Sequence, residues 1–563
     1  MKSPKRADVP GFLPKAEEET RAVLVGLPDA DWRSVLPMLP DDTPTGGTRL
    51  STWKELAAGI AVGICLMALI FAAGTFLATC IRDSLAQPAT ASLVRRSHII
   101  SPAVAHASPS PAGIWSTLSS SDGLDPRRVA GWEGSMPATG EARVLAIRVS
   151  FPASEQSDRA YGFAPGDSAE ALQSLIGRHL DGSPSPPAPY SRPYGSLSSY
   201  YERSSYGKLS VSGEAYDYAA KWPRWNYEPS PALLFAEAMS ALDDEIDYRD
   251  YDGNGDGIID CICIRFAGPE TGWGTPWWSH AFHAGGSGPA KLPYGEFDGM
   301  LADSLVMLHS PSDALSALST LIHECGHALG LPDYYRYVAP DDDGRSSGDA
   351  LGRGIGTFDM MDGNVGDHNG FSKWMLGWVG DEDIVRVSCS PSGLAEVSGG
   401  RASSAIVSED GVAVVALGGF SDDGTGGCGG MAVVYPQGHD GSPDPLSDLL
   451  LIQYEPATAG RRGEWAPSGR GFRLFRVRAT PSDRGKGLLH DNMSPTESER
   501  LIEAVSADSR GGRSLLVEGD EVSLGIASDR AAPNRPVEGD TVSVRVIRSD
   551  EGSGTVEIRY ARE

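Results

Sequence analysis

The chain has 563 residues, more than one ordinary domain needs, and 40% of them are hydrophobic, which is enough to bury substantial cores. Its 75 Asp and Glu residues outnumber its 48 Lys and Arg residues, giving a formal net charge of -27 at pH 7. No basic block interleaved with aromatic residues occurs, so the composition argues against a nucleic-acid partner and favours an acidic surface that keeps an exported protein soluble.

The first 140 residues divide into three segments of different composition. Residues 1–54 are polar, with mixed charges and scattered prolines, and we predict a disordered cytoplasmic tail. Residues 55–82 contain an apolar run from Leu56 to Ile81 without a charged residue, which is long enough to span a membrane. Because this run follows a long polar tail, we predict a transmembrane signal anchor and not a cleaved signal peptide. Residues 83–140, rich in Ser, Pro and Ala, are predicted to form a stalk or a short prosegment.

Beyond residue 140 the hydrophobic pattern predicts an α+β fold in two units. Apolar residues at helical spacing, and short apolar runs rich in β-branched residues, mark the regular elements. The predicted elements are strands at Val144–Phe151 and Ile258–Phe266 and helices at 169–180, from Ser230 onward and at 312–329. From about residue 386 the pattern changes to short β-like runs separated by Gly, Asp and Ser. We therefore predict a folded unit at 141–385 and a β-rich, sandwich-like unit at 386–563.

The strongest functional signal is the segment Leu321–Asp333, LIHECGHALGLPD. On a helix, residues i and i+4 project from one face, so the imidazoles of His323 and His327 can converge on one metal ion. Gly330 follows the last apolar residue of the helix, where a left-handed stop is favourable, and the chain can then carry Asp333 back to the metal. This HExxHxxGxxD pattern predicts a zinc site built from two imidazoles and one carboxylate.

Glu324, next to the first histidine, is the candidate catalytic residue. A water bound to zinc has a pKa of about 7, and a carboxylate beside the open zinc position can take its proton. The hydroxide can then attack a peptide carbonyl, so the pattern predicts a zinc peptidase with Glu324 as general base. His368, or a carboxylate other than that of Asp333, is an alternative third ligand.

A second candidate metal site lies in the sequence DGNGDGIID. Its oxygen donors alternate along a glycine-containing loop, as in an EF-hand, which predicts structural calcium. The candidate ligands are Asp252, Asn254, Asp256, the backbone carbonyl of Ile258, and Asp260. The twelfth position is Cys263 and not the bidentate Glu, so the loop is not a true EF-hand. The alternative is an ordinary turn between a helix and a strand, for which Asp, Asn and Gly are the expected residues.

Around the zinc motif the chain resembles the immune inhibitor A family of secreted metallopeptidases. The resemblance covers about residues 144–510 and rests on several stretches. The matching stretches are VLAIRVSFP at 144–152, SYYERSSYGKLSVSG at 199–213, DYDGNGDGIIDCICIRFAG at 250–268, WWSH at 277–280, HECGHALGLPDYY at 323–335, GTFDMMDGN at 356–364 and HNGFSKWMLGW at 368–378. Weaker similarities are LLIQYE at 450–455, GFRLFRV at 471–477 and LIEAVSAD at 501–508.

This resemblance implies a metzincin-like zinc peptidase domain at 141–385, in which a methionine turn lies beneath the zinc. Met361 occupies the position of the family's turn methionine, and Met360 is the alternative. Cys325 and Gly326 differ from the usual residues inside the motif, although the family tolerates a glycine before the second histidine. The β-rich unit that follows would then be an accessory domain.

Motif and resemblance together predict a zinc metalloendopeptidase that hydrolyses proteins or peptides. It would be held by residues 55–82 at a cell membrane as a single-pass protein, with its catalytic domain outside. Basic residues at the two ends of the anchor do not differ decisively, so the orientation follows from this assignment. The alternatives are a cell-surface binding protein without turnover and a maturation protease with few partners. The complete HExxH argues against the first, because an inert scaffold does not need Glu324. The sequence does not indicate an oligomeric state.

Overall fold

The computed structural model describes most of the chain beyond residue 124. The described residues are 125–132, 134–153, 161–187, 194–272, 275–284, 297–310, 314–335, 354–355, 359–390, 392–398, 403–408, 411–420, 430–439, 441–456, 469–482, 487–492, 500–507, 515–525 and 540–562. The predicted tail, the predicted anchor and residues 83–124 of the predicted stalk lie outside them. Among the helices that the structure describes, none is both long enough and apolar enough to cross a membrane.

The described part of the chain is a mixed α/β structure in which strands predominate. The α-helices are α1 (Pro126–Ala130), α2 (Ala169–Ile176), α3 (Leu197–Ser204), α4 (Ala232–Leu242), α5 (Ala314–Ala328), α6 (Met360–Gly363) and α7 (Gly370–Met375). The strands of the first half are β1 (Gly140–Ser150), β2 (Leu209–Ala219), β3 (Ile258–Ile259), β4 (Cys261–Phe266), β5 (His280–His283), β6 (Leu301–Ala302) and β7 (Ser304–His309). The later strands are β8 (Ile384–Ser390), β9 (Gly393–Ser398), β10 (Ser403–Val407), β11 (Val412–Gly418), β12 (Met431–Tyr435), β13 (Asp448–Glu455), β14 (Gly471–Arg478), β15 (Ile502–Ala504), β16 (Glu521–Gly525), β17 (Asp540–Ser549) and β18 (Ser553–Arg562).

Five of these strands form one sheet in the order β2-β1-β4-β7-β5. The first four are parallel, whereas β5 runs antiparallel to β7 along the edge of the sheet. Successive side chains of a strand point to opposite faces, so Val144 of β1 lies in one core and Leu145 in another. Helix α5 packs on the first face through Leu318, and α4 packs on the second through Phe235. Both faces of the sheet are therefore covered, which is why its inner strands β4 and β7 are almost continuously buried.

Two predicted elements differ from the structure. The helix predicted at 169–180 ends at Ile176, because Gly177 adopts the left-handed conformation at φ 91° and donates its N–H to the carbonyl of Gln173. The strand predicted at Ile258–Phe266 is divided at Asp260 into β3 and β4, which pair in different sheets. The strand predicted at Val144–Phe151 is confirmed as the larger part of β1.

The C-terminal strands form two sheets that pack face to face. One has the order β15-β14-β13-β12-β8-β9, and the other has the order β10-β11-β18-β17-β16. Ile452 of the first sheet and Val544 of the second belong to the core between them. On its other face the first sheet presents Val433 and Leu451 to the core that contains α5. This six-stranded sheet is thus a middle layer, and the predicted boundary between residues 385 and 386 falls inside β8.

The segment before β1 is folded onto the C-terminal end of α5. Asp125 caps α1 by accepting the N–H of Arg127, and the Arg127 guanidinium donates to the carbonyl of Leu329 at 3.0 Å. Met136 is buried and donates its N–H to the carbonyl of Ala328 at 3.0 Å. The described part of the predicted stalk therefore covers the end of the helix that carries the HExxH motif.

Candidate metal centre

Helix α5 carries His323 and His327 on one side and apolar residues on the other. Leu318, Ile322 and Cys325 lie fully buried in the core under the five-stranded sheet, at the spacing that an amphipathic helix requires. The buried hydroxyl of Tyr201 donates to the backbone carbonyl of Ile322 at 2.7 Å. The packed face thus fixes the rotation of the helix and directs both imidazoles toward the same place.

The two imidazoles and one carboxylate form a compact cluster. Nε2 of His323 lies 3.0 Å from Oδ1 of Asp333, and Nε2 of His327 lies 3.2 Å from the same atom. Nδ1 of each ring is held by a backbone carbonyl at 2.7 Å, that of Met360 for His323 and that of Leu331 for His327. These carbonyls fix each ring in orientation and leave Nε2 to face Asp333.

This geometry fits a tetrahedral metal ion. Bonds of about 2.0–2.1 Å at tetrahedral angles would separate neighbouring ligand atoms by roughly 3.3 Å, close to the two distances observed. Within the described residues, one group of three or more His, Cys, Asp or Glu side chains has its ligand atoms close enough together to share a metal ion. Its members are His323, His327 and Asp333. Two imidazole nitrogens and a carboxylate oxygen are the donors that catalytic zinc sites use, with a fourth position left for water.

Asp333 reaches the cluster through a sharp turn at the end of α5. Gly330 adopts φ 94°, a conformation that favours glycine, and a Cβ there would also lie 1.6 Å from the carbonyl oxygen of Trp132. Leu331 then donates its N–H to the carbonyl of Gly326 at 3.0 Å, which closes the helix end. On the other side of Asp333, Tyr334 donates its N–H to the carbonyl of Met361 at 2.7 Å. Both flanks of Asp333 are thus held by backbone hydrogen bonds.

The charges in the cluster depend strongly on one another. Burial alone would lower the pKa of His327, but the Asp333 carboxylate outweighs it and raises that pKa to about 9. Burial would likewise raise the pKa of Asp333, but the two histidines hold it far below its usual range. The negative charge of Asp333 is therefore stabilised by positive charge beside it, either on the protonated imidazoles or on a metal ion that they bind.

Glu324 lies buried beside the two histidines. Burial raises the pKa of its carboxyl group, while the charges of His323 and His327 act in the opposite direction. The backbone N–H of Ala281, in the edge strand β5, also acts to lower that pKa. The candidate general base thus lies between α5 and the edge of the sheet.

Met361 lies directly under the helix that carries the histidines. A Cβ placed on Gly326 would lie 2.4 Å from Sδ of Met361, so the glycine between the two imidazoles allows the methionine to pack there. Met360 has a different contact, because its carbonyl holds His323. One methionine thus contacts the helix and the other a candidate ligand, and the assignment of a methionine turn stays a prediction.

His368, the alternative third ligand, does not join the cluster. Its ring is buried among those of Tyr200, Tyr201 and Trp378. Burial lowers its pKa to about 3, so the imidazole is neutral at physiological pH.

The predicted calcium loop is held by its own hydrogen bonds. Oδ1 and Oδ2 of Asp252 accept the N–H groups of Gly255 and Gly257 at 2.7 Å and 2.8 Å. Asp256 and Asn254 bond to each other, and Asp256 also accepts the N–H of Ile258 at 2.9 Å. Asp260 lies apart in the interior, where Oδ2 accepts the N–H groups of Arg143 and Gly253. These contacts are those of a turn. In the described part of the chain the carboxylates do not converge as a metal cluster, so the calcium prediction gains no support.

Sequence reasoning missed a histidine and an aspartate close to the metal centre. His283 ends the edge strand β5, and its Nδ1 lies 3.0 Å from Oδ2 of the buried Asp303. Short strands such as β5 and β6 carry little sequence signal, and the pairing of residues twenty positions apart depends on how β5 returns along β7. No local pattern could have identified this pair.

Comparison with known proteins gives a partial match to a metalloprotease. No family model matches the chain. Two relatives, both named Pre-pro-metalloprotease PrtV and both from Vibrio cholerae serotype O1, strains M66-2 and ATCC 39315 / El Tor Inaba N16961, are 34% identical over 175 residues. The match covers 25% of this chain and 19% of the length of each relative. This distant similarity suggests a metalloprotease family, and the narrower resemblance to immune inhibitor A stays a prediction.

Proposed function

We propose that the chain is a membrane-anchored extracellular zinc metalloendopeptidase with a metzincin-like catalytic domain. The observation that carries the proposal is the convergence of His323, His327 and Asp333 on one point, with the Glu324 carboxylate beside them. The partial similarity to a metalloprotease supports the same chemistry. A five-stranded sheet with an antiparallel edge strand beside α5 is compatible with a metzincin-like fold. Calcium forms no part of the proposal.

The reaction would be hydrolysis of internal peptide bonds in proteins or peptides. A zinc ion held by the three side chains would supply positive charge that polarises the substrate carbonyl and acidifies a bound water. Glu324 accepts the proton that the attacking water loses and later delivers it to the leaving nitrogen. The location rests on the predicted anchor at 55–82, which would hold the catalytic domain outside the cell.

The test is an assay of the full chain on an unfolded protein substrate, with zinc and with a chelator. We expect Glu324→Gln to lower kcat by at least about 10²-fold, because the amide cannot accept the proton, while zinc content stays at the wild-type value. Glu202→Gln is the control, since Glu202 is exposed, pairs with Arg178 and is not a member of the cluster. A wild-type protein that binds zinc in its mature form but cleaves nothing would contradict the proposal and favour a binding protein on the same scaffold.

A further inference from the structure

The edge strand β5 presents His283 to the same side of the sheet as α5. Ala281 packs against the core that contains α5, whereas its neighbour Phe282 packs against the core on the other face. Because side chains alternate along a strand, His283 points to the side of Ala281. The imidazole therefore lies on the metal-centre face of the sheet, at its open edge.

Asp303 fixes the orientation of this imidazole. Oδ2 of Asp303 lies 3.0 Å from Nδ1 of His283, and the carboxylate is buried with a side-chain exposure of 6%. The His283 side chain is 38% exposed, so Nε2, on the far side of the ring, remains accessible to a bound molecule. With a buried carboxylate on one nitrogen and solvent on the other, the imidazole is held as a proton donor that faces outward.

Strand β5 lies alongside α5, the helix that carries His323, Glu324 and His327. His283 is thus placed beside the metal centre. The Asp303 carboxylate at Nδ1 stabilises the positively charged imidazolium, which is the form that donates from both nitrogens.

We propose that His283 is a catalytic residue that donates a hydrogen bond from Nε2–H to the oxygen of the scissile carbonyl. This inference rests on the proposed function. As the water oxygen bonds to the carbonyl carbon, the π electron pair of C=O moves onto the carbonyl oxygen, and the water proton passes to Glu324. His283 forms no covalent bond and keeps its proton, and its hydrogen bond strengthens as the oxygen gains charge. Such a donor accelerates the chemical step more than it stabilises the bound substrate.

The experiment compares the full zinc-loaded chain carrying His283→Phe with wild type, on the best fluorogenic peptide substrate of the wild type. Phenylalanine keeps a ring at this position but cannot donate. We expect kcat to fall by about 10²-fold with KM changed less than about threefold, and a phosphinic peptide that mimics the tetrahedral state to bind about 10²-fold more weakly. Zinc content should be unchanged. The matched control is His179→Phe, since His179 forms an equivalent pair with Glu214 on β2, at the opposite edge of the same sheet.

Asp303→Asn provides a second variant in case His283→Phe does not fold. It retains the imidazole but removes the negative charge behind it, and we expect kcat to fall with little change in KM. Wild-type kcat and inhibitor affinity in a folded, zinc-loaded His283 variant would overturn the inference, as would equal losses in the His179 control. If the wild type cleaves peptides and the His283 variant cleaves them equally well, this inference fails and the proposed function stands. If wild type cleaves nothing, the proposed function fails.

Discussion

Asp260 is a buried carboxyl group whose two oxygens have different surroundings. Oδ2 accepts two backbone N–H groups, whereas Oδ1 is buried and has no hydrogen-bond partner among the described residues. Burial raises the pKa of Asp260 to about 8, and the two hydrogen bonds only partly oppose this effect. The folded protein therefore holds a proton on Asp260 at neutral pH that the unfolded chain releases.

This proton makes stability depend on pH. Between about pH 4 and pH 8 the folded state binds one more proton than the unfolded state, so the free energy of unfolding falls as pH rises, by up to about 1.4 kcal/mol per pH unit. We expect Asp260→Asn to remove that contribution, because the amide does not titrate. Urea unfolding at pH 5 and pH 8 measures the difference.

Asp256→Asn is the control for this prediction, because Asp256 is exposed in the same loop and Asn keeps an oxygen for the N–H of Ile258. An identical pH dependence in wild type and Asp260→Asn would contradict the prediction. Stabilisation by added calcium at pH 8 would instead favour the calcium interpretation, since a bound cation would keep Asp260 ionised.

At the residue scale the sequence predicted those features that local geometry determines. The convergence of His323 and His327 follows from helix periodicity, and the return of Asp333 follows from the glycine that ends the helix. The protonation of Asp260 was not predictable, because a carboxylate in a calcium loop and one buried beside a turn have the same sequence pattern. The pair of His283 and Asp303 depends on strand pairing, which is not local.

Helix α5 and the short helix α6 meet closely at Gly326 and Met361, next to the hydrogen bond between His323 and the Met360 carbonyl. Alanine is normally more favourable than glycine inside a helix by about 0.8–1.0 kcal/mol. At Gly326, however, the added Cβ would lie 2.4 Å from Sδ of Met361, so the methionine and the segment that holds His323 would have to move. Contact between the two elements thus outweighs helix propensity at this position.

We therefore expect Gly326→Ala to lower the free energy of unfolding by about 1–2 kcal/mol, because overpacking of this kind costs more than the gain in propensity. In a Met361→Ala background the same substitution should instead raise it by up to about 1 kcal/mol. Chemical denaturation of the four proteins in this double-mutant cycle measures the reversal. If Gly326→Ala stabilises the wild-type protein, Met361 does not restrict the helix.

At the element scale, α5 was predictable because its apolar stripe and its final glycine are strong signals. The packing of α6 beneath it was inferred only from the resemblance to a known family, since two methionines in a loop are otherwise ordinary core residues. The division of the predicted strand at Asp260 was hidden because β3 and β4 are separated by a single residue, and their partners, β6 and β7, lie far away in the chain.

The C-terminal segment contributes directly to the surroundings of the metal centre. The side-chain amide of Asn492 donates to the carbonyl of Tyr334, next to Asp333, at 3.0 Å. Gln453 of β13 accepts the N–H of Gly370 at 2.9 Å, and Arg473 of β14 donates to the carbonyl of Ile355 at 2.7 Å. One face of the same sheet completes the core that supports α5. The sequence indicated a change of hydrophobic pattern near residue 386 but not this shared core. The core forms where two segments that are distant in the chain pack together, and a local pattern does not show that packing.

We expect the unit at 141–385 to depend on the C-terminal segment for folding. A chain that ends at Val385 would lose the three hydrogen bonds to Tyr334, Gly370 and Ile355 and would expose the apolar surface that β12, β13 and β14 cover. Loss of that much burial exceeds the usual margin of stability, so the truncated chain should show no cooperative unfolding and no stoichiometric zinc, whereas the full chain shows both. Calorimetry and metal analysis of the two chains compare these properties. Within the full chain, the same measurements on Asn492→Ala, with the exposed Leu489→Ala as control, test the hydrogen bond to Tyr334. A truncated chain that binds one zinc and unfolds cooperatively would show that 141–385 is an independent domain, as its sequence pattern predicts.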